Sequence, residues 1–222
     1  MSFTAKGGQH IMSRVTGQIS VSLDGFAAGP NQSVDNPIGE GGMRLHEWAF
    51  TSAAWRETHG LAGGERNADS VVVEGLMRGN GAYIMGRKMF GGGAGPWDES
   101  WTGWWGEDPP YHAPVFVLTH HTREPLTMKG GTTFHFVTDG IEAALERARE
   151  AAGGMDVAIA GGASTVQQYL RAGHMDELYL HIVPVILGAG ERLLDGVGDV
   201  NLEPVEVVAS PAVTHIRYRV AR

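Results

Sequence analysis

The stretch Val157-Ala-Ile-Ala-Gly161-Gly162-Ala163-Ser164-Thr165, continuing into Val166-Gln-Gln-Tyr-Leu-Arg-Ala-Gly173, reads as a buried strand, a double-glycine turn and the start of a helix. Gly161 and Gly162 carry no Cβ and let a ligand come close to the backbone. The first amides of a helix have no partner inside it, and its dipole points positive at that end, so the turn is suited to an anion such as a phosphate. Ser164 and Thr165 add hydroxyl donors. The same pattern also serves as a plain strand-to-helix turn in which Ser164 or Thr165 caps the helix.

Working outward, two strands precede this unit and more chain follows it. Val115 to Thr119 and Thr133 to Thr138 read as strands. Asp139-Gly-Ile-Glu142 opens a helix with a capping-box pattern, and Ile141, Leu145, Ala148 and Ala152 follow at helical spacing. Strand, helix, strand, helix, strand is the signature of a parallel sheet. Nearer the N-terminus, Arg14 to Leu23 alternates, with Val15, Ile19, Val21 and Leu23 facing one way and Thr16, Gln18, Ser20 and Ser22 the other. Helices are expected over Met43 to His59 and Asn67 to Arg78, and a short buried strand over Ala82 to Gly86. Leu178 to Leu187 reads as a buried strand that bends at Pro184. Val205 to Ala209 and Ala212 to Val220, joined across Ser210-Pro211, leave too little chain for a crossover and must pair antiparallel.

The chain has 222 residues, enough for one sizeable core, and one domain over 13–222 is expected. Residues 1–12 are read as a disordered leader, with Met12 a candidate start. A formal charge of −8 disfavours nucleic acid and anionic membrane as partners. The absence of cysteine removes disulfides, thiolate catalysis and cysteine-ligated zinc. No apolar run approaches the roughly 18 residues of a membrane span, so a cytoplasmic protein acting on a small molecule is expected. The segment Gly91 to Tyr111 holds Trp97, Trp101, Trp104 and Trp105, more aromatic surface than one loop readily buries, which points to a homodimer.

Several motif matches fail on context. Gly81 to Lys88 has phosphate-loop glycine spacing, but an apolar strand fills the interval and Lys88 does not directly follow Gly86. The glycines from Gly91 to Gly95 precede no amphipathic helix, which removes a Rossmann fingerprint. No nucleophile elbow or metalloprotease helix is present, and the ten histidines show no ligand spacing, so no metal is expected.

Three segments remain, in order: Tyr83-Ile-Met-Gly86-Arg87-Lys88-Met89-Phe90, Val115-Phe-Val-Leu-Thr119-His120-His121 and Ile159-Ala-Gly161-Gly162-Ala163. With Ser22-Leu-Asp24-Gly25-Phe26 and Val183-Pro184-Val-Ile-Leu-Gly188-Ala-Gly190, they make the chain resemble the dihydrofolate reductase superfamily. The similar branch contains the riboflavin-biosynthesis reductase domain, the RibD C-terminal domain. The resemblance runs from Arg14 to Val220.

That resemblance implies an α/β fold with a mixed, mostly parallel central sheet, antiparallel C-terminal strands and helices on both faces. It also implies an NADPH-dependent oxidoreductase, of the kind that reduces dihydrofolate or 5-amino-6-(5-phosphoribosylamino)uracil. In this family the counterpart of Gly161, Gly162, Ala163, Ser164 and Thr165 cradles the pyrophosphate. Gly86 and Arg87 would meet the adenosine side, Lys88 would be a further cofactor-binding residue, and Thr119, His120 and Arg123 would flank the 2′-phosphate. Ala27 and Ala28 would flank the nicotinamide, with Phe26, His46, Trp48 and Trp97 as substrate walls. Asp24 is the implied catalytic carboxylate; an Asx turn is its other reading.

Two departures narrow these expectations. The carboxylate that dihydrofolate reductases carry on the first helix has only Glu47 and Glu57 as local counterparts, neither in a matching context. The zinc deaminase often fused to the riboflavin enzyme needs cysteines that are absent here. A reductase acting on a small heterocycle or carbonyl is the leading expectation; a dinucleotide-binding sensor or interaction protein without turnover is the second, and a structural α/β domain without nucleotide the third.

Overall fold

The computed structural model describes residues 13–221 apart from Met77. The expected leader, 1–12, lies outside the described residues. The first strands are β1 (Val15–Ser22) and β2 (Phe26–Ala28). Short helices α1 (Glu47–Phe50) and α2 (Ala53–Thr58) and the longer α3 (Ala68–Leu76) follow. Next come β3 (Asn80–Gly86), α4 (Arg87–Phe90), β4 (Pro114–Leu118), β5 (Leu126–Thr127) and β6 (Thr133–Val137). The alternating stretch is α5 (Ile141–Ala152), β7 (Asp156–Gly161), α6 (Ala163–Arg171) and β8 (Glu177–Val183). The chain closes with β9 (Glu191–Arg192), β10 (Asn201–Ala209) and β11 (Thr214–Ala221).

Nine strands form one sheet in the order β10-β11-β8-β1-β7-β3-β4-β6-β5. β8, β1, β7, β3, β4 and β6 run parallel to their neighbours in that series, while β11 pairs antiparallel with both β8 and β10. The expected architecture is therefore present, including the antiparallel C-terminal pair. A separate two-stranded sheet joins β2 to β9.

Alternation of side chains divides the sheet into two cores. Val15, Val21, Ile84, Phe116, Val157 and Ile159 point to the face covered by α5 and α6. On the other face, Tyr83, Met85, Val115 and Val117 lie under Phe90, Trp97, Trp101 and Trp105. Further along that face, Val183 and Val213 meet Leu45, Trp48 and Val73.

Several local expectations change in the fold. The helix foreseen over Met43 to His59 is broken into a 3-10 turn, Gly42–Leu45, and the short α1 and α2, because Ser52 bonds the Trp55 amide and starts a new helix. The capping box at α5 is not made: Gly140 is the N-cap, without a side-chain bond, and Asp139 pairs instead with Arg147. At the end of β1, Leu23 is 65% exposed, whereas Ser20 and Ser22 are buried. Their burial is compensated, since Ser20 accepts from the Trp48 indole at 3.2 Å and Ser22 accepts from the Phe26 amide at 2.9 Å. The tryptophan loop packs on its own chain: Trp101 meets Trp104, and Trp105 stacks on Phe134 and meets Tyr111. Each of its four tryptophans is only partly covered, so part of their aromatic surface still faces outward.

Candidate functional site

A cleft of about 450 Å³ opens outside the carboxyl ends of β3, β4, β6 and β7. Its lining brings together Gly86, Arg87, Lys88, Thr119, His120, Gly162, Ala163, Ser164 and Thr165 from separate segments of the sequence. Gly161 lies buried at its base, with φ of +121° that excludes other residues and a cis peptide to Gly162.

One bank is the N-terminus of α6. Gly162 is its N-cap and no side chain caps it; the Thr165 amide reaches back to the Gly162 carbonyl at 3.0 Å. The plain cap reading of Ser164 and Thr165 is thereby set aside, and the earliest amides of the helix are left toward the cleft. A Cβ on Gly162 would meet nothing within 4 Å, whereas a Cβ on Gly86 would come 2.5 Å from the Thr165 hydroxyl. Gly86 is needed so that β3 can pass close to α6.

The other bank is cationic. Arg87 donates to the Thr119 hydroxyl at 3.2 Å and to the Gly95 carbonyl at 3.1 Å, and its guanidinium lies 3.1 Å from the Trp97 ring centre. Arg123, with its side chain 4% exposed, stands 5.3 Å from the same ring and pairs with Glu99. Arg87 Nε and Arg123 Nη1 are both buried without a partner. Burial lowers the Arg87 pKa, and the Arg123 charge adds to the effect. In the cleft lining itself, the Arg87 guanidinium beside the Thr119 hydroxyl is a suitable setting for a dianion. The residues present therefore fit a phosphorylated dinucleotide, with helix amides at one bank and guanidinium and hydroxyls at the other.

Other expected site residues fall elsewhere. Arg123 is outside the cleft lining, behind Trp97. Trp97 is outside the lining of this cleft: it backs Arg87, and its indole donates to the His121 carbonyl at 2.9 Å. Trp48 is interior at 5% exposure, between the rings of His181 and His215. His46 is half-buried at the start of α1, stacked on Phe50, and burial lowers its pKa. Phe26 is buried with the Arg192 guanidinium 4.5 Å from its ring centre, so it too is no open wall. Ala27 and Ala28 are buried within β2, next to β9.

Asp24 ties two loops together. One carboxylate oxygen accepts from the Leu187 amide at 3.1 Å and the other from the Gly188 amide at 2.7 Å. The Ser22 hydroxyl, with these amides, holds its pKa at about 2. At neutral pH it is an ionised acceptor with both oxygens engaged, a loop-to-loop tie that suits its structural reading more than the donation of a proton.

Thr138, Gly140 and Ile141, which line the cleft beside α5, and Gln168 and Glu191 are cleft residues that were not among the expected site residues. The first three follow a strand and open a helix, the same pattern that singled out Gly161 and Gly162. Glu191, after the Gly188-Ala-Gly190 turn, carried no such signal.

A family model described as the RibD C-terminal domain matches residues 13–216. Among solved structures, a riboflavin biosynthesis protein from Shewanella sp. PV-4 aligns with 21% identity over 94% of this chain and 99% of its own, at a TM-score of 0.61. The diaminohydroxyphosphoribosylaminopyrimidine deaminase/5-amino-6-(5-phosphoribosylamino)uracil reductase of Thermotoga maritima aligns with 14% identity over 95% of this chain and 57% of its own, at 0.53. Dihydrofolate reductase from Enterococcus faecalis, complexed with NADP(H), aligns with 13% identity over 94% and 97%, at 0.53. No curated protein matches the sequence.

Proposed function

Because the chain belongs to the RibD C-terminal domain family, we propose that it is an NADPH-dependent reductase acting on a small pterin- or pyrimidine-like heterocycle or a carbonyl-type substrate. The observation that carries this reading is one continuous cleft that joins the Arg87 and Thr119 bank to the N-terminus of α6. Cation and hydroxyl suit the 2′-phosphate, and free helix amides suit the pyrophosphate.

In this reading Gly86, Arg87, Thr119 and His120 hold the adenosine end, with Arg123 supporting the charge from behind Trp97, and Lys88 serves the phosphates. Gly161, Gly162, Ala163, Ser164 and Thr165 hold the pyrophosphate, and Ala27 and Ala28 flank the nicotinamide. A reduced nicotinamide bound there supplies a hydride; the chain binds and orients it. The protein works in the cytoplasm, a reading supported by the lack of cysteine and by the absence of any membrane-length apolar helix among the described residues.

Asp24 supports a second reading, a dinucleotide-binding sensor without turnover, because an engaged and ionised carboxylate is no source for the proton that accompanies a hydride. The test is NADPH consumption by the purified protein with 5-amino-6-(5-phosphoribosylamino)uracil, dihydrofolate and simple carbonyl compounds. A reductase oxidises NADPH with one of them. A sensor binds NADPH and leaves it reduced, and failure to bind NADPH rejects both readings.

A further inference from the structure

The cleft has a carboxylate in its lining. Glu191 on β9 faces the same space as Gly162, Ala163, Ser164 and Thr165, an unfavourable neighbour for a pyrophosphate unless it has a purpose of its own. Lys88, at the start of α4 on the opposite bank, reaches it at 2.6 Å. The Lys88 side chain is 77% exposed and that of Glu191 31%, so the pair bridges the mouth of the cleft and contributes little to stability.

The position of β9 fixes where that carboxylate stands. Glu191 pairs with Ala28 of β2, the strand beside which the nicotinamide is proposed to lie. Gln167 of α6 donates to the Arg192 carbonyl at 2.8 Å, which fastens β9 to the helix whose N-terminus is proposed to hold the pyrophosphate. Glu191 therefore stands between the pyrophosphate and nicotinamide positions. The group of a dinucleotide that lies between those two is a ribose, whose vicinal hydroxyls are paired donors. A carboxylate is the acceptor that matches two hydroxyls.

Resting on the dinucleotide reading of the cleft, we infer that Glu191 is a further cofactor-binding residue that accepts the hydroxyls of the nicotinamide-side ribose. Lys88 leaves it for the pyrophosphate when the ligand enters. The bridge between them holds the two banks in register beforehand and is exchanged at small cost, because a cation moves from one anion to another.

The test compares dissociation constants of NADPH and of 2′-phosphoadenosine diphosphate, which keeps the phosphates and lacks the second ribose, for wild type, Glu191→Ala and Lys88→Ala. Glu191→Ala should weaken NADPH about tenfold, while the shorter ligand binds as tightly as before or more tightly, because Lys88 is released. Lys88→Ala should weaken both. Equal weakening of the two ligands by Glu191→Ala, or unchanged or tighter NADPH binding, overturns the assignment of Glu191. Wild-type protein that binds neither ligand overturns the dinucleotide reading of the cleft itself, a different result from either.

Discussion

Arg87 is held by three contacts at once: the Thr119 hydroxyl, the Gly95 carbonyl and the Trp97 ring. Such a guanidinium loses little rotamer freedom when it meets a ligand. A hydrogen bond to a charged group contributes about 1.5–3 kcal/mol, or roughly one to two orders of magnitude in affinity. Arg87→Ala should therefore weaken NADPH by that factor and NADH by much less, as measured by titration of both cofactors. Arg87→Lys should fall between, because it keeps the charge and loses the planar fork. Equal losses for the two cofactors would make Arg87 a structural residue of the Trp97 loop.

The helix α6 belongs to both the fold and the site. Val166, Tyr169 and Leu170 bury one side against the sheet, and this packing fixes where the N-terminal amides open. Gly162 has φ of −74°, which any residue adopts, and open space where a Cβ would stand. Gly162→Asp should thus fold with a melting temperature near that of wild type. Its carboxylate at the cleft bank should weaken NADPH by about tenfold or more through like-charge repulsion. Gly86→Ala is the contrast: its methyl group would press on the Thr165 hydroxyl, so a stability loss should accompany any loss of binding. If Gly162→Asp binds NADPH as wild type does, the pyrophosphate does not lie at this helix.

At the scale of the whole molecule, a buried polar chain links α3 to the sheet. Asp69 meets His215 Nε2 at 3.1 Å, and His215 Nδ1 meets His181 Nδ1 at 2.9 Å. His181 is 3% exposed and its Nε2 has no partner. Burial first, then the neighbouring His215 and His46, pushes its pKa down from 6.5 to about 3. Below pH 6.5 the unfolded chain takes up a proton that the folded one refuses. The contribution is thus present above that pH and is lost as pH falls toward 3. Urea unfolding should show about 2 kcal/mol less stability from this group at pH 5 than at pH 7.5. His181→Gln should flatten that part of the profile; an unchanged slope would assign the loss to other groups.

The sheet and the glycine-turn bank of the cleft were legible in the sequence because both depend on local chemistry. Alternation over β1, helical spacing over α5 and α6, and the glycines at 161 and 162 act within a few residues. Whether a side chain lines a cleft or fills a core was not legible, since that depends on which distant element covers it. Trp48 is interior because α1 lies over His181 and His215, and Trp97 supports Arg87 because the aromatic loop folds back on β3 and β4. Asp24 keeps its turn chemistry but spends its charge on two amides more than 160 positions away. Glu191 enters the cleft through the pairing of β9 with β2, between strands that are far apart in the chain. Local sequence determined the elements and the double-glycine turn that forms one bank of the cleft. Tertiary packing decided which charges face that turn, because a side chain's partner is set by long-range contacts that short periodicities do not encode.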